Sequence, residues 1–307
     1  MVAPAFEYVA AGSYDEAVRL LADRGDEAKI LAGGQSLMPM LNLRFAHPGL
    51  LIDINAADDR EPSVAGGVLR LPALTRHRVL LEHDLVRRHC PLLADAVRYV
   101  GNVRVRNRGT IGGSLAHADP TSEIGCSALA AGAQVVVRGP GGERTVPVAE
   151  LFLSYWSTSL AESEIITDVL IPVAGPRQGR FFHEMVRRTS DFAIVAVAAI
   201  VEVDEGADTI AATRVALAGV ADRVLLADPD LLGGLTGLTG RALGGGAGAR
   251  GTGDEPAGAA EAAADRIAGS LEPVDDVHAS AGYRRRLVRV LVARALHEAY
   301  ARAVGAA

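Results

Sequence analysis

Cysteine is nearly absent from this chain. Cys90 and Cys126 are the only two, far apart and outside any C-x-x-C or Cys/His spacing. A zinc site or an iron–sulfur cluster made by the chain itself is therefore excluded, because each needs about four ligands. Both thiols read as small buried hydrophobes. Dense positive charge is also missing. The net charge of −6 argues against a nucleic-acid partner, which needs clustered Lys and Arg. The one dense basic run, Tyr283-Arg284-Arg285-Arg286, reads as a solvated helix face. The longest apolar run, residues 192–201, is too short to span a bilayer, and its β-branched residues suit a buried strand. The first ten residues carry no basic start and no apolar core, so no signal peptide is visible. The expectation is a soluble, cytoplasmic protein without a transmembrane segment. G-x-G-x-x-G, G-x-x-x-x-G-K-[ST] and G-x-S-x-G are all absent, which leaves no ordinary Rossmann site, P-loop or nucleophile elbow.

Glycine is abundant, and two of its clusters share one chemistry. Leu31-Ala32-Gly33-Gly34-Gln35-Ser36-Leu37 and Gly109-Thr110-Ile111-Gly112-Gly113-Ser114-Leu115-Ala116-His117-Ala118-Asp119-Pro120 each set a glycine pair beside a hydroxyl residue. Glycine lets a backbone approach a ligand closely and reach positive φ. Successive amides in such turns form a concave nest for anions. A diphosphate held between two such loops is the expectation, with Ser36 and Thr110 offering hydroxyl donors.

Ser13-Tyr14-Asp15-Glu16 is a capping-box pattern that starts a helix running to about residue 23. Residues 29–32 read as a strand entering the first glycine pair, followed by a short helix over 38–43 and a strand over 50–54. A strand over 68–74, helices near 78–83 and 92–100, a helix near 124–131 and strands at 134–138 and 166–173 complete the first half. After Gly175-Pro176 the texture becomes β-rich, with runs at 180–187, 192–203 and 210–220 joined by short connections. That pattern predicts an antiparallel meander. Residues 233–264 are dominated by Gly and Ala and read as a flexible loop, flanked by helices, the last over about 280–303.

His117, Asp119 and Glu123 follow the second glycine pair. Three readings are open for them: an acid–base cluster, a turn followed by a helix start, or carboxylates that accept hydrogen bonds from ribose hydroxyls. The glycines favour ribose or loop structure over catalysis. No catalytic residue is assigned.

Ala32-Gly33-Gly34-Gln35-Ser36-Leu37, together with Arg106-Asn107-Arg108-Gly109-Thr110-Ile111-Gly112-Gly113-Ser114-Leu115-Ala116-His117-Ala118-Asp119-Pro120, closely resembles the FAD-binding subunit of molybdenum hydroxylases. These include the medium subunit of aerobic carbon monoxide dehydrogenase and the flavin domain of xanthine dehydrogenase. The resemblance continues through Glu164-Ile165-Ile166 and Arg187-Arg188-Thr189-Ser190-Asp191-Phe192-Ala193 to Ser280-Ala281-Gly282-Tyr283-Arg284-Arg285, nearly the whole chain.

The resemblance implies an α+β architecture. A two-subdomain FAD-binding fold of the vanillyl-alcohol-oxidase type would cover residues 1–175, divided into about 1–56 and 57–175. A C-terminal domain with a three-stranded antiparallel sheet and helices would cover 176–307. Ala32, Gly33, Gly34, Gln35 and Ser36 would hold the FAD diphosphate with Lys29 nearby, and Thr110, Gly113 and Ser114 would hold its other side. Asp119 and Glu123 would lie by the ribose or adenosine, and the backbone of Ile165 or Ile166 would face the isoalloxazine edge. The family often has a lysine near the position of Glu184 and a tyrosine where Phe192 stands. A glutamate there would oppose the reduced flavin anion, whereas Phe192 can still stack.

The function implied is electron transfer. FAD, held non-covalently, would take electrons from 2Fe–2S clusters in a small subunit, fed by molybdopterin in a large subunit. The assembly would be a heterotrimer or its dimer. The alternative is a self-contained flavin oxidase of the same fold, which would need a substrate pocket of its own.

Overall fold

A computed structural model describes residues 3–244 and 258–305. Three larger sheets organise them, beside a two-stranded ribbon of Phe152–Ser154 and Ser157–Thr158. The first is parallel, with Leu50–Asp53 between Glu7–Ala10 and Ala28–Leu31. Helix Tyr14–Arg24 makes the crossover. Ser13 Oγ accepts from the Glu16 amide at 3.2 Å, and the Glu16 carboxylate accepts from the Gly12 amide at 2.8 Å, so the predicted cap forms. Gly25 at φ +57° ends the helix, and Tyr14, Ala17, Val18 and Leu21 bury its inner face. Glu7–Ala10 escaped the sequence reading because it is an exposed edge strand with little alternation to see.

The second sheet is antiparallel, in the order Ser63–Ala65, Val68–Pro72, Ile165–Pro172, Gln134–Gly139, Gly142–Pro147. Ile165 packs into the core of the first sheet, whereas its neighbour Ile166 packs into the core of the second. The alternation of strand side chains thus ties the two layers together.

The third sheet is the expected meander: Gln178–Met185, Val195–Val203, Ile210–Ala218, and a fourth strand of two residues, Leu225–Leu226. Val195–Val203 is buried on both faces. One face receives helix Ala281–Ala303, on which helix Ala259–Ser270 packs in the same core. A Cβ on Gly179 would collide with the Ala299 carbonyl, so helix and strand touch at their backbones. The opposite face presents Ala196, Ala198, Ala216 and Ala218 to helix Glu123–Ala130, and Phe182 to Tyr99 just past helix Pro91–Val97, inside the core of the second sheet. Small side chains there let the helix sit close.

Three sequence expectations need correction. The Gly/Ala-rich region is not loop throughout: Gly233–Leu235, Gly240–Leu243 and Ala259–Ser270 are helical, with Leu235, Leu243, Ala260 and Ala263 in the core, and 245–257 lie outside the described residues. Alanine favours helix, and composition hid that behind glycine. The segment 109–120, expected as a loop, contains the helix Ile111–His117, and a short helix that the sequence reading did not include, Val103–Arg108, precedes it. Arg284 is not on a solvated face. It is 6 % exposed and donates to the carbonyls of Ile194 and Gly219 (2.7 Å to Gly219) and to Asp276 at 2.6 Å.

Candidate functional site

Strand Ala28–Leu31 runs into the turn Ala32–Ser36, after which helix Leu37–Asn42 begins. Gly34 sits at φ +71°, the left-handed conformation that glycine permits. Among the described residues, the amides of Gly34, Gln35, Ser36 and Leu37 donate to no protein acceptor. They form a local concentration of free N–H donors, suited to an anion.

The second glycine segment is built differently. Thr110 caps helix Ile111–His117, its Oγ accepting from the Gly113 amide at 3.2 Å. The Ile111 amide donates to the Thr75 carbonyl (3.0 Å), the Gly112 amide to Ala73 (2.9 Å) and the Ser114 amide to Thr110 (3.0 Å). Its glycines have ordinary φ; what they supply is space. A Cβ on Gly112 would stand 2.6 Å from that of Ala73, and one on Gly109 would stand 2.8 Å from the His77 ring. The expectation of a positive-φ nest holds for the first turn and fails for the second.

The two segments touch. A Cβ on Gly33 would collide with the Arg108 carbonyl and lie 2.8 Å from Gly109 Cα, and one on Gly113 would meet the Ala32 methyl at 3.9 Å. Hydrogen bonds fix this approach. Asn55 Nδ2 donates to the Ala32 carbonyl at 2.9 Å, Arg76 Nη2 donates to Asn55 Oδ1 at 2.5 Å, and Arg76 Nη1 donates to the Arg108 carbonyl. His77 lies beneath, its Nε2 3.1 Å from Ser114 Oγ. Burial, opposed by the Thr110 backbone, pushes its pKa down to about 4, so the imidazole is neutral. Asn55, Arg76 and His77 were not legible as site residues. The only signal was their position just past strand ends, and nothing local distinguishes that from a turn.

The other predicted residues are spread around this centre. Lys29 is exposed on the strand that feeds the first turn. Ile165 and Ile166 are buried. Pairing with Val68–Pro72 starts only at Asp168, which leaves their backbone without a strand neighbour on that side. Asp119 folds back, accepting from the Thr121 amide (2.8 Å) and hydroxyl (2.6 Å). With Phe192, 72 % exposed, it lines a pocket of about 280 Å³ together with Trp156, His278 and Arg284. Glu123 opens helix Glu123–Ala130, ten residues past Gly113 in sequence, and burial pushes its carboxyl up to about 7. No acid–base triad assembles, and among the described residues no group of three or more His, Cys, Asp or Glu could hold a metal.

The model of the FAD binding domain in molybdopterin dehydrogenase matches residues 4–174, and that of the CO dehydrogenase flavoprotein C-terminal domain matches 180–229 and 252–299. The chain belongs to this flavoprotein family. It is 38 % identical to the 6-hydroxypseudooxynicotine dehydrogenase complex subunit alpha of Paenarthrobacter nicotinovorans, covering 99 % of this chain and 97 % of that one. It is 36 % identical to the carbon monoxide dehydrogenase medium chain of Hydrogenophaga pseudoflava, covering 98 % and 99 %. Carbon monoxide dehydrogenase from that organism, in a form lacking the Mo-pyranopterin moiety of its cofactor, superposes with a TM-score of 0.89 at 36 % identity, over 98 % of this chain and 99 % of that one. Quinoline 2-oxidoreductase from Pseudomonas putida 86 superposes with a TM-score of 0.85 at 31 % identity, over 100 % and 99 %.

The chain is thus a medium, FAD-binding subunit of the molybdenum hydroxylase type, and an oxidoreductase component. The site suits the family's cofactor. FAD carries two phosphates, and the first turn offers four amides without a protein acceptor. Among the described residues, no helix is long and apolar enough to cross a membrane.

Proposed function

We propose that this chain holds FAD non-covalently and relays electrons between the 2Fe–2S clusters of a small partner subunit and an external acceptor, within a heterotrimer or its dimer whose large subunit carries molybdopterin. The observation that carries the reading is the contact of the two glycine segments at Gly33 and Gly109 beside four free amides. FAD, when bound, supplies the ability to take electrons singly or in pairs and to release them either way.

The chain's residues do the positioning. Ala32, Gly33, Gly34, Gln35 and Ser36 receive the diphosphate on their amides, and Gly113 and Ser114, held by the Thr110 cap, close its other side. Lys29 adds a positive charge at the approach. Asp119, with Glu123 beyond it, stands toward the adenosine end. The backbone of Ile165 and Ile166, free on the side away from Gln134–Gly139, borders the space for the ring system, and Phe192, in the pocket that Asp119 also lines, offers a face for stacking. The Asn55–Arg76 clamp keeps both segments at fixed separation, so the diphosphate meets preorganised donors. The FAD-binding unit comprises residues 1–175, divided near residue 56, and the C-terminal unit residues 176–307. Both cysteines are buried, and burial pushes the Cys90 thiol up to about 11, which fits a flavin held without a thioether link.

The test is reconstitution. The purified full chain is expected to take up FAD stoichiometrically, to release it intact on acid precipitation, and to reduce no dye with carbon monoxide, purines, N-heterocycles or aldehydes. Dye reduction is expected only after the two partner subunits are added. Turnover by the lone chain would overturn the reading in favour of a self-contained oxidase.

A further inference from the structure

Asp168 lies on the central strand of the second sheet and is 1 % exposed. A carboxylate buried there is costly unless it is both paired and hydrogen-bonded. Arg70 grips it with two bonds, Nε to Oδ1 and Nη2 to Oδ2, each 2.8 Å. Arg60 reaches the same carboxylate, Nη1 standing 3.0 Å from Oδ1 and Nη2 donating to Oδ2 at 3.3 Å. Arg60 is itself fixed by Asp58, through Nε at 2.9 Å and Nη2 at 2.7 Å. Both arginines are half-exposed, so their guanidinium groups reach inward to a carboxylate that never meets water.

The grip coincides with an irregularity in the strand. Side chains along a strand alternate between its faces. Ile166 and Val169 are three residues apart, yet both pack into the core of the second sheet. A bulge reconciles the two. Against Gln134–Gly139 the register passes from Ile166–Val137 directly to Asp168–Val136, which leaves Thr167 as the extra residue. Without it, Asp168 would share the face of Ile166 and enter the apolar core. With it, Asp168 turns to the other face. Arg70 is on that face too, because its neighbours Leu69 and Leu71 point into the core opposite Ile171 and Val169.

The bulge stands where three pieces of backbone meet. Pairing with Val68–Pro72 begins at Asp168, opposite Pro72, which has no N–H to carry the ladder further. The Thr167 carbonyl accepts from the Ala73 amide at 3.0 Å, and the Ala73 carbonyl accepts from the Gly112 amide at 2.9 Å. Arg60 Nη2 also reaches the Thr167 carbonyl, at 3.4 Å. Just before the bulge come Ile165 and Ile166, with no strand partner on the side of Val68–Pro72.

We propose that Asp168 is a positioning residue for the flavin ring: gripped by Arg60 and Arg70, it fixes the Thr167 bulge and so sets the backbone of Ile165 and Ile166 and, through Ala73, the second glycine segment. It acts through that backbone. The inference rests on the reading that the ring system lies against Ile165 and Ile166. A bulged ladder lacks the bonds that hold a regular one, so its geometry depends on side-chain anchors. Losing the anchor leaves the ring to order this backbone on binding, and that cost appears in affinity.

The test uses backbone resonances of the 15N-labelled full chain. In the wild type, adding FAD is expected to shift the amides of Ile165 and Ile166. Asp168→Asn keeps the side-chain size and removes the charge that the two guanidinium groups share. It should bind FAD about tenfold more weakly. Its Ile165 and Ile166 amides should depart from their wild-type positions in the FAD complex, while the Gly34 amide in the first turn still responds as in the wild type. Arg60→Met and Arg70→Met each remove one half-exposed partner and should reproduce part of both effects, which keeps the test open if Asp168→Asn does not fold. A purely structural role would lower Tm and leave affinity and both resonances at wild-type values in every variant that folds, and that result would overturn the proposal. Wild-type Ile165 and Ile166 amides that ignore FAD, with Gly34 responding, would instead refute the placement of the ring, and the proposal with it.

Discussion

The two glycine segments look alike in sequence and work differently in the fold. The first is a turn: one glycine in a left-handed conformation, and four amides with no protein acceptor. The second is a helix start: ordinary φ angles, the amides from Ile111 to Ser114 all engaged, and glycines that exist because Ala73 and His77 leave no room for a methyl. One segment offers donors; the other fixes where they stand. A glycine pair therefore reports a need for closeness, and only the hydrogen-bond inventory says whether a ligand or the protein itself meets that need.

Substitution can break this division of labour. Gly33→Ala forces a methyl into the Arg108 carbonyl and separates the segments. FAD affinity is expected to fall about a hundredfold, roughly 2.8 kcal/mol, and because Gly33 is buried against backbone the clash also costs roughly 1–3 kcal/mol of folding free energy. Gly112→Ala acts on the other side. Its methyl meets Ala73 in the core, and overpacking is expected to cost about 2 kcal/mol of folding free energy, partly offset by better helix propensity. Isothermal titration with FAD and denaturant unfolding of both variants give the four numbers. If Gly112→Ala lost affinity as heavily as Gly33→Ala while remaining as stable as wild type, the second segment would be a donor site after all.

A smaller effect is expected at the clamp. Arg76→Ala removes the bonds to Asn55 and to the Arg108 carbonyl but leaves both turns covalently intact. The cost is one of preorganisation, about tenfold in FAD affinity or 1.4 kcal/mol, with a rise in the off-rate. An unchanged Kd would show that glycine packing alone sets the separation.

How far the sequence could be read follows the range of each interaction. Ser13 and Glu16 cap a helix three residues long in its logic, and the cap was legible. The meander was legible because its connections are short and its runs β-branched. Both glycine segments could be found, but their contact spans some 75 positions and is carried by Asn55, Arg76 and His77, whose chemistry appears only when three strand ends converge. The same limit applies to Arg284: an arginine among arginines reads as surface, and only the fold shows the carbonyls of Ile194 and Gly219 around it. Glu184 stood out as a departure from a pattern, yet nothing local announces that it is buried at 5 % exposure.

The mildest perturbation tests whether the first turn receives FAD at all. Lys29 is the only lysine in the chain, is exposed, and lies four residues before Gly33 on the strand that enters the turn. A compact ammonium attracts a diphosphate without needing to touch it, and in water such a contribution is under about 1 kcal/mol and falls with salt. Lys29→Gln should therefore weaken FAD binding only a few-fold, and the difference should shrink at high ionic strength. The same uniqueness gives a footprint: apart from the N-terminus, an amine-directed label has one target. Saturating FAD should slow acetylation of Lys29, while labelling of the N-terminal amine serves as the internal reference. Equal rates with and without FAD, together with a salt-independent Kd, would place the diphosphate away from the first turn and leave its four free amides without a ligand.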